Sequence, residues 1–340
     1  MNRLRIPPHW RTIRAVTSFT IAVVCIIGVV EGPALVSRAG ADQTSGSWQL
    51  QKIDSDVAWE GVSCPSSKMC VETSTTGNVS VYNGETWSTS TPSIFQGRAL
   101  HSVSCASASF CLAVGDEGGA YLFRQGKWSS AQLLSDDKSL YSVSCPMQGF
   151  CAVVGSGGDA YIFSSGGWSS SEPVTSGSTD PLAAVSCTSL KWCMATDLSG
   201  QVFAYSGGHW TSGRQVTKGD APLYSISCPT TLFCSATSEA RVGSSYEEVG
   251  YTFSKSKWSA HKFQTVGPDD GLVTTCSTSA QCWAMGNADG IDVAYHFSGH
   301  SWSQRTKIGD KNLFLYSISC PTTNFCVASG DIGYLYMYKG

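Results

Sequence analysis

The chain has 340 residues, of which 42% are hydrophobic and only 14% are charged, and its formal net charge is −3. With so few charged residues, the chain is neither of the highly charged, intrinsically disordered class nor a long helical bundle with a charged surface. No cluster of Lys and Arg occurs beyond the first 14 residues, so the sequence predicts no nucleic-acid partner.

The N-terminal segment has the order of a secretory signal peptide. Residues 1–14 carry four arginines and no acidic residue, residues 15–30 are uncharged, and an A-x-A tripeptide stands at residues 39–41. The apolar run is long for a signal peptide and short for a membrane span. Residues 1–41 are therefore expected to be either a cleaved signal peptide or an anchor held by residues 15–30. Both alternatives predict a secreted or cell-envelope protein whose only membrane contact is this segment.

The cysteines form a regular pattern. Apart from Cys25, they fall into seven pairs, each with the spacing C-x5-C. The pairs are Cys64/Cys70, Cys105/Cys111, Cys145/Cys151, Cys187/Cys193, Cys228/Cys234, Cys276/Cys282 and Cys320/Cys326. An even set of paired cysteines in an exported chain indicates disulfides. A zinc site would need shorter spacings with histidines nearby.

The pairs also mark an internal repeat. Successive first cysteines are separated by 40 to 48 residues, a period typical of solenoids and propellers. One unit, residues 140–174, contains four short β-rich runs bounded by Gly, Ser and Pro. Beyond the leader no sustained 3.6-residue apolar period occurs, which excludes a helical solenoid. After a short linker at residues 42–45, we expect repeats that begin near residues 60, 101, 141, 183, 224, 272 and 316.

The tryptophans indicate how many blades the chain forms and how the ring of blades is closed. One tryptophan opens the fourth strand of each of the first six units: Trp87, Trp128, Trp168, Trp210, Trp258 and Trp302. The seventh unit ends after its third strand, and residues 46–52, with Trp48, carry the missing pattern. The sequence therefore predicts an all-β, seven-bladed β-propeller over residues 46–340. Its blades have four antiparallel strands, and the N-terminal strand closes the last blade, which removes the open sheet edge.

Two segments carry a family resemblance. VSCASASFCLAVGDEGGAYLF (residues 103–123) and ISCPTTNFCVASGD (residues 318–331) resemble the cysteine-stapled propeller repeat of exported actinobacterial proteins. The chain is more distantly similar to BNR/Asp-box and photosystem-assembly-factor propellers. Its nearest match to an Asp box, YNGETWS at residues 82–88, lacks the aspartate. The resemblance implies the fold and no particular activity, because propellers include both binding modules and hydrolases.

A first group of candidate ligand-binding residues lies four positions before the first cysteine of each unit: Glu60, His101, Tyr141, Ala183, Tyr224, Leu272 and Tyr316. The innermost strands of a propeller line its central channel, so these residues are expected around the channel mouth. There His101, Tyr141, Tyr224 and Tyr316 are suited to stacking and hydrogen bonding with a ligand. The alternative is that they fill the channel as packing.

A second group is acidic and is expected on the same rim. Connections between blades carry Asp136, Asp180, Asp220, Asp269, Asp270 and Asp310, and hairpins between second and third strands carry Asp116, Glu117, Asp197, Asp289 and Asp331. Such a rim suits calcium or a basic partner. The alternative is that Asp simply favours turns. The hairpin of blade five is extended at residues 238–250 and adds Arg241, Tyr246 and Glu247 as candidates, unless it is a neutral insertion.

Catalytic patterns are weak in this sequence. No G-x-S-x-G motif occurs, and the arginines do not recur at equivalent strand positions, as a sialidase-type grip on a carboxylate needs. We therefore predict a monomeric, non-catalytic binding module at the cell envelope with a glycan or protein ligand. No cofactor is predicted, and calcium is the one ion left open. A glycoside hydrolase of the sialidase-like propeller type is the alternative.

Overall fold

The structure, a computed structural model, describes residues 46–53, 57–90, 95, 97–135, 138–175, 180–243, 245–266 and 271–340. The expected leader and linker lie outside these residues. The described residues form seven antiparallel sheets, one for each repeat, and the first strands of neighbouring sheets contact one another in a closed circle. This confirms the all-β, seven-bladed propeller. No helix among the described residues is long and apolar enough to cross a membrane.

The first four blades run from the innermost strand outward. Blade one comprises β2 (Trp59–Ser66), β3 (Met69–Ser74), β4 (Val79–Tyr82) and β5 (Trp87–Ser90). Blade two comprises β6 (Leu100–Ser107), β7 (Phe110–Gly115), β8 (Gly119–Arg124), β9 (Lys127–Trp128) and β10 (Gln132–Leu133). Blade three comprises β11 (Leu140–Met147), β12 (Phe150–Gly155), β13 (Asp159–Ser164), β14 (Gly167–Trp168) and β15 (Glu172–Pro173). Blade four comprises β16 (Leu182–Ser189), β17 (Trp192–Asp197), β18 (Gln201–Ser206), β19 (His209–Trp210) and β20 (Arg214–Gln215).

The last three blades follow the same order. Blade five comprises β21 (Leu223–Thr230), β22 (Phe233–Val242), β23 (Ser245–Ser254) and β24 (Lys257–Val266). Blade six comprises β25 (Leu272–Thr278), β26 (Gln281–Ala288), β27 (Ile291–Phe297) and β28 (Thr306–Gly309). Blade seven comprises β29 (Leu315–Thr322), β30 (Phe325–Gly330), β31 (Tyr334–Lys339) and the N-terminal β1 (Ser47–Lys52).

The N-terminal strand closes the ring as predicted. β1 pairs with β31 in antiparallel register, with Ser47 opposite Lys339 and Lys52 opposite Tyr334. Trp48 of β1 packs edge-on against Trp283 of blade six, with 5.4 Å between ring centroids. The closing strand therefore joins the last blade both through its backbone and through an aromatic contact with the neighbouring blade.

All seven predicted disulfides form, and each bridges the first and second strands of one blade. The Cα–Cα distances are 3.9 to 4.1 Å in the pairs Cys64–Cys70, Cys105–Cys111, Cys145–Cys151, Cys187–Cys193, Cys228–Cys234, Cys276–Cys282 and Cys320–Cys326. Each closes a loop of only six residues, so a bridge stabilises its blade by about 2 kcal/mol in the chain-entropy account. The disulfides thus fix the end of each blade that lies opposite the start of its first strand.

Serines join neighbouring blades around the channel. The Oγ of Ser104 accepts a hydrogen bond from the backbone N–H of Cys145 in the next blade, at 2.9 Å. Equivalent bonds recur around the ring at Ser63 to Cys105, Ser144 to Cys187, Ser186 to Cys228, Ser227 to Cys276 and Ser319 to Cys64. These bonds give acceptors to backbone donors at the inner edge of each sheet, and they account for the recurring serine directly before the first cysteine.

The core consists of seven clusters of buried side chains, one between each pair of neighbouring blades within the described residues. Tyr161 and Phe163 of β13 both face blade two, because side chains alternate along a strand. Phe110 packs against Phe163 with 6.4 Å between ring centroids. The aromatic residue before the second cysteine of blade two therefore contacts blade three.

Blade six differs from the prediction at its outer edge. Trp302 does not open a fourth strand but makes an isolated bridge to Phe297, and β28 begins only at Thr306. Between them the Oγ of Ser303 accepts the backbone N–H of His296 at 3.0 Å. Equivalent hydroxyl acceptors occur in blades two, three and four, so this break in the outer ladder is shared by four blades.

Candidate functional site

A cavity of about 200 Å³ lies where the innermost strands of the seven blades meet. Its lining includes Glu60, His101, Tyr141, Ala183, Tyr224 and Tyr316, each at the start of the first strand of its blade. The structure therefore brings the expected ring of side chains together at one end of the channel. The disulfide turns lie at the opposite end, because they follow the other end of the same strands.

The disulfide cysteines are part of the core and not of an accessible site. The second cysteine of every pair has an exposed fraction of 0%: Cys70, Cys111, Cys151, Cys193, Cys234, Cys282 and Cys326. Because a ligand or a solvent thiol cannot reach a buried sulfur, these residues do not contact a ligand and are poorly placed for thiol exchange. Their role is therefore structural, as the sequence predicts.

Each ring residue is the extra residue of a β-bulge. In blade three, Leu140 pairs with Gly155 and Ser142 with Val154, so Tyr141 has no residue opposite it. The same irregularity occurs at Glu60, His101, Ala183, Tyr224 and Tyr316. A bulge changes the direction of a side chain relative to the normal alternation of a strand. Six blades therefore direct one side chain into the channel mouth while the preceding residue packs in the core.

Blade six has no such residue, and the expectation that Leu272 belongs to the ring is wrong. Leu272 pairs with Gly286 and Val273 pairs directly with Met285, without a bulge. Leu272 is 3% exposed and takes the core position that Leu140 takes in blade three. It stands four residues before its cysteine instead of five, so the first strand of blade six is one residue short. The ring consequently has six members and a gap between Tyr224 and Tyr316.

A chain of hydrogen bonds crosses the mouth from blade one to blade three. Nδ1 of His101 lies 2.5 Å from Oε2 of Glu60, and Nε2 of His101 lies 2.8 Å from Oδ1 of Asp116. The Oγ of Ser139 donates to the same Asp116 oxygen at 2.9 Å. His101 is therefore held by carboxylates on both sides, and Asp116 is satisfied by donors from two blades.

The electrostatics of this chain favour a positively charged histidine. Burial by itself lowers the pKa of His101, but the hydrogen bonds and charges of Asp116 and Glu60 together raise it to about 9. Burial raises the pKa of Glu60, and the hydrogen bond from His101 opposes that rise. The hydrogen bond from His101 lowers the pKa of Asp116. At neutral pH the mouth therefore holds a histidinium between two carboxyl groups.

A second carboxylate lies beside the ring in blade seven. Asp331 follows Gly330 at the end of β30, just as Asp116 follows Gly115 at the end of β7. Burial of Tyr316, with smaller contributions from the charges of Asp331 and Glu60, raises the pKa of Tyr316. Oδ1 of Asp331 has no hydrogen-bond partner among the described residues. Burial raises the pKa of Asp331 to about 6, although hydrogen bonds with the backbone oppose the rise.

Two other acidic candidates, Asp197 and Asp220, lie at turns. Asp197 accepts hydrogen bonds from the backbone N–H groups of Ser199 and Gln201 at 3.0 and 2.7 Å. Burial, and to a smaller extent the charge of Asp180, raises the pKa of Asp197. Asp220 is exposed and has a φ of 56°, which is the left-handed conformation that Asp tolerates in turns. These residues match the turn alternative better than a ligand site.

Three acidic candidates, Asp136, Asp269 and Asp270, lie outside the described residues. Within the described residues no group of three or more His, Cys, Asp or Glu is arranged to hold a metal ion. Calcium binding stays a prediction.

The extended hairpin of blade five is a regular pair of strands rather than a loop. Arg241 of β22 pairs with Tyr246 of β23. Tyr246 is 8% exposed and belongs to the cluster between blades five and six. Nζ of Lys262 lies 2.8 Å from Oε1 of Glu247, and Nε of Arg241 donates to the carbonyl of Gly243 at 3.1 Å. Tyr246 therefore extends the contact with blade six, and none of the three candidates is part of the described cavity lining.

The described arginines lie away from the cavity. Arg98 pairs with Glu117 at 2.9 Å, Arg124 lies over the ring of Phe110, and Arg305 lies 3.4 Å from Asp289. No arginine is part of the described cavity lining. The three-arginine grip of the sialidase alternative is therefore not found at this mouth.

Sequence reasoning identified the ring but not the contacts between its members and the hairpins. Glu60 and His101 occupy the same position in successive repeats, which is a signal that they are neighbours. The G-D dipeptides at residues 115–116 and 330–331 share a position after the second strand. Comparing them would have paired each aspartate with the ring residue of its own blade.

Comparisons with known proteins support the fold. No protein-family profile and no curated protein sequence matches this chain significantly. The structure of YCF48 bound to D1 peptide is similar, with a TM-score of 0.65 and 13% identity over 88% of this chain and 96% of that one. The structure of YCF48 from Cyanidioschyzon merolae is also similar, with a TM-score of 0.62 and 15% identity over 86% and 98% of the two chains. At such low identity the likeness establishes the propeller architecture.

Proposed function

We propose that this protein is a non-catalytic, extracytoplasmic binding module that holds a protein or peptide ligand over the mouth of its central channel. The observation that carries the proposal is the ring of six bulge residues, in which His101 is fixed between Glu60 and Asp116. A buried charged network that faces a cavity is costly to keep for packing alone, and such networks are common where ligands bind.

The disulfides and the N-terminal pattern support the proposed compartment. Cytosolic thiols are kept reduced, whereas disulfides persist outside the cytoplasm. Seven bridges in one chain, together with the signal-like residues 1–41, favour export to the cell envelope.

The size of the cavity favours a macromolecular ligand. Pockets for small molecules usually enclose about 300–1,000 Å³, and this mouth encloses about 200 Å³. A partner would therefore lie across the rim and insert a single side chain. The peptide bound by the structurally similar YCF48 supports the same class of ligand.

The geometry of the polar network favours binding over catalysis. Both nitrogens of His101 contact carboxylates, so neither is available to take a proton from a nucleophile. The hydroxyl of Ser139 donates to Asp116 and not to the histidine. A hydrolytic triad needs the opposite order, with the hydroxyl next to the imidazole.

Site-specific photo-crosslinking tests this proposal. Benzophenone-alanine replaces Tyr141 at the mouth, and in a matched variant it replaces Leu232, which is 76% exposed in the disulfide turn of blade five. Irradiation of intact cells that express the full chain is expected to give a protein adduct of one defined mass from position 141 and none from position 232. Equal adducts from both positions, or none from either, would contradict the proposal. A thermal shift with cell-wall polysaccharide in the second case would favour a glycan instead.

A further inference from the structure

Two sets of turns form the end of the propeller that lies opposite the mouth. In blade two, Phe110 follows the disulfide turn and pairs with Arg124, which in turn pairs with Lys127 across the outer turn between the third and fourth strands. The disulfide turn and the outer turn of a blade therefore lie at the same end. We call this end the disulfide face. It comprises the seven disulfide turns, the outer turns at residues 83–86, 124–127, 164–167, 206–209, 254–257 and 298–301, and the adjoining ends of β31 and β1.

Basic side chains accumulate on the disulfide face. Seven of them are exposed there, against one exposed acidic side chain, Glu85. The basic residues are Lys68, Arg124, Lys127, Lys191, Lys255, Lys257 and Lys339. Within the part of the chain that the structure describes, none of the seven forms an ion pair. The face therefore carries a positive charge that no neighbouring carboxylate balances.

The mouth end of the propeller has the opposite charge. Its hairpins and blade connections carry the acidic residues described above, and basic side chains at this end pair with them. Lys138 lies 2.7 Å from Asp159, and Arg98 lies 2.9 Å from Glu117. Because salt screens charges that are more than about 8–10 Å apart, the two ends act separately on a charged surface. An anionic surface thus attracts the disulfide face and not the mouth.

Three apolar side chains are exposed on the same face. Met147, Leu190 and Leu232 are 45%, 47% and 76% exposed, and they stand in the disulfide turns of blades three, four and five. Lys191 follows Leu190 directly. Exposed apolar groups beside basic ones are suited to the surface of an anionic bilayer, since the apolar groups enter the headgroup region while the basic groups attract the lipid phosphates.

The N-terminal segment joins the propeller at this face as well. Ser47, which begins β1, pairs with Lys339, and Lys339 pairs with Phe325 beside the disulfide turn of blade seven. The chain therefore enters the ring at the disulfide face and not at the mouth. An anchor at residues 15–30, one of the two alternatives for the N-terminal segment, would hold the disulfide face towards the membrane.

We propose that the disulfide face lies on the surface of an anionic lipid bilayer. Met147, Leu190 and Leu232 enter the headgroup region, and the seven basic side chains lie against lipid phosphates. The mouth then points away from the membrane, where the partner of the proposed function can reach it. The propeller itself thus makes a membrane contact in addition to the one expected of the N-terminal segment.

Photo-crosslinking to lipid tests this proposal with the purified full-length protein. Benzophenone-alanine replaces Leu232 on the disulfide face, and in the matched variant it replaces Tyr141 at the mouth. Each variant is irradiated with vesicles of phosphatidylcholine alone or of equal parts phosphatidylcholine and phosphatidylglycerol, and phospholipid adducts are measured by mass spectrometry. We expect at least about 10-fold more adducts from position 232 than from position 141, and only with the anionic vesicles. Residues 1–41 are the same in both variants, so their own attraction to lipid cancels.

Two pairs of lysine substitutions test the charges. Lys255→Gln with Lys257→Gln removes two positive charges beside the disulfide turn of blade five, and Gln125 holds the position of Lys255 in the outer turn of blade two, so glutamine fits there. A basic residue near an anionic surface contributes about 5-fold to binding, so about 25-fold fewer adducts are expected from position 232 below lipid saturation. Lys218→Gln with Lys311→Gln makes the same charge change at exposed positions of the mouth end and is expected to have no effect.

A matched pair of apolar substitutions tests the side chains that enter the bilayer. Leu190→Ser is expected to lower the lipid adducts from position 232 by about 5-fold, because only the exposed half of the leucine leaves water on binding. Ile332→Ser changes a side chain that is 48% exposed in the mouth hairpin of blade seven and is expected to leave the adducts unchanged. Both positions are exposed, so neither substitution removes a core contact.

The outcomes decide the membrane contact independently of the proposed function. Equal lipid adducts from positions 232 and 141, or none from either, would overturn the proposal. Equal effects of the two lysine pairs, or of Leu190→Ser and Ile332→Ser, would overturn it as well. A protein adduct from position 232 in intact cells, without a lipid adduct on vesicles, would assign the disulfide face to a protein partner instead. Protein adducts from position 141 test the binding module, so the two proposals can fail separately.

Discussion

Ser319 in the last blade and Cys64 in the first are 255 residues apart, yet the Oγ of Ser319 accepts the backbone N–H of Cys64 at 3.0 Å. The bond joins the same positions as that between Ser104 and Cys145, which belong to consecutive blades. The join between the ends of the chain is therefore built like every other join around the channel. The ring residues Tyr316 and Glu60 lie on either side of this join.

Removing that acceptor is expected to weaken the closure. Ser319→Ala leaves the Cys64 N–H without a partner at the inner edge of the sheet, which costs about 1–3 kcal/mol. Equilibrium unfolding in guanidinium measures the loss. Ser170→Ala, at an exposed position, is the control, and an equal effect of both substitutions would show that the bond contributes nothing.

The aromatic contact of the closing strand is expected to contribute more to the free energy of unfolding than the hydrogen bond between Ser319 and Cys64. Trp48 packs against Trp283 and Tyr338, in each case with 5.4 Å between ring centroids. Trp48→Ala is expected to lower the free energy of unfolding by about 3 kcal/mol and to expose β1 to proteolysis. Gln49→Ala changes the exposed neighbour in the same strand and is expected to change stability by less than about 0.5 kcal/mol. Similar losses in both variants would exclude a specific role for the tryptophan.

Each disulfide is expected to act independently. Replacing Cys145 and Cys151 together by serine removes one bridge and is expected to cost about 2 kcal/mol while the propeller still folds. Chemical denaturation of the variant and of the parent gives the difference. Complete loss of folding after removal of this one bridge would contradict the expectation.

The stability of the protein is expected to depend on pH through His101. Its pKa is about 9 in the folded protein, above the ordinary value of 6.5 that it takes in the unfolded chain. The histidine therefore stabilises the fold fully below pH 6.5, and this stabilisation is lost as the pH rises to 9. The loss is at most about 3 kcal/mol, and thermal melts at intervals from pH 6 to pH 9.5 measure it.

The substitution His101→Gln is expected to remove most of this dependence of the stability on pH. His209→Gln alters an exposed histidine on blade four and is the matched control. A profile for His101→Gln that falls between pH 6.5 and 9 as steeply as that of the parent would assign the dependence to another group.

Asp331 is expected to lower stability at neutral pH. Its pKa of about 6 in the folded protein lies above the ordinary value of 3.8, because burial disfavours its charge. The folded state therefore prefers the protonated form, and stability declines as the pH rises from 3.8 to 6. Asp331→Asn should raise the melting temperature at pH 7.5 and have little effect at pH 3.5. A lower melting temperature at pH 7.5 would mean that the carboxylate has a structural role. Such stability costs are typical of residues kept for binding.

The architecture could be predicted because its sequence signals recur in every repeat and include the cysteines that form the disulfides. The C-x5-C pairs count the blades, each fourth-strand tryptophan confirms one unit, and Trp48 in the N-terminal segment supplies the pattern that the seventh unit lacks. Each signal refers to one strand or one turn, so it does not require knowledge of distant contacts.

The site could be predicted only in part, because it depends on register. Counting back from the cysteine assigned Leu272 to the ring, whereas the pairing of Leu272 with Gly286 shows that blade six lacks the bulge. The contact between His101 and Asp116 joins the start of one strand to the end of the next. A single sequence specifies neither the absence of a bulge nor the side chains that meet across a hairpin.

The pairing of β1 with β31 has a consequence for the order of folding. Each disulfide links cysteines six positions apart, so every bridge can form as soon as its own hairpin is present. The closing pair, in contrast, joins residues near position 50 to residues near position 336 and forms only when the whole chain has emerged. Contacts of such long range are slow to form. The oxidised hairpins therefore assemble first, and the N-terminal strand has to wait, unpaired, until the last blade arrives.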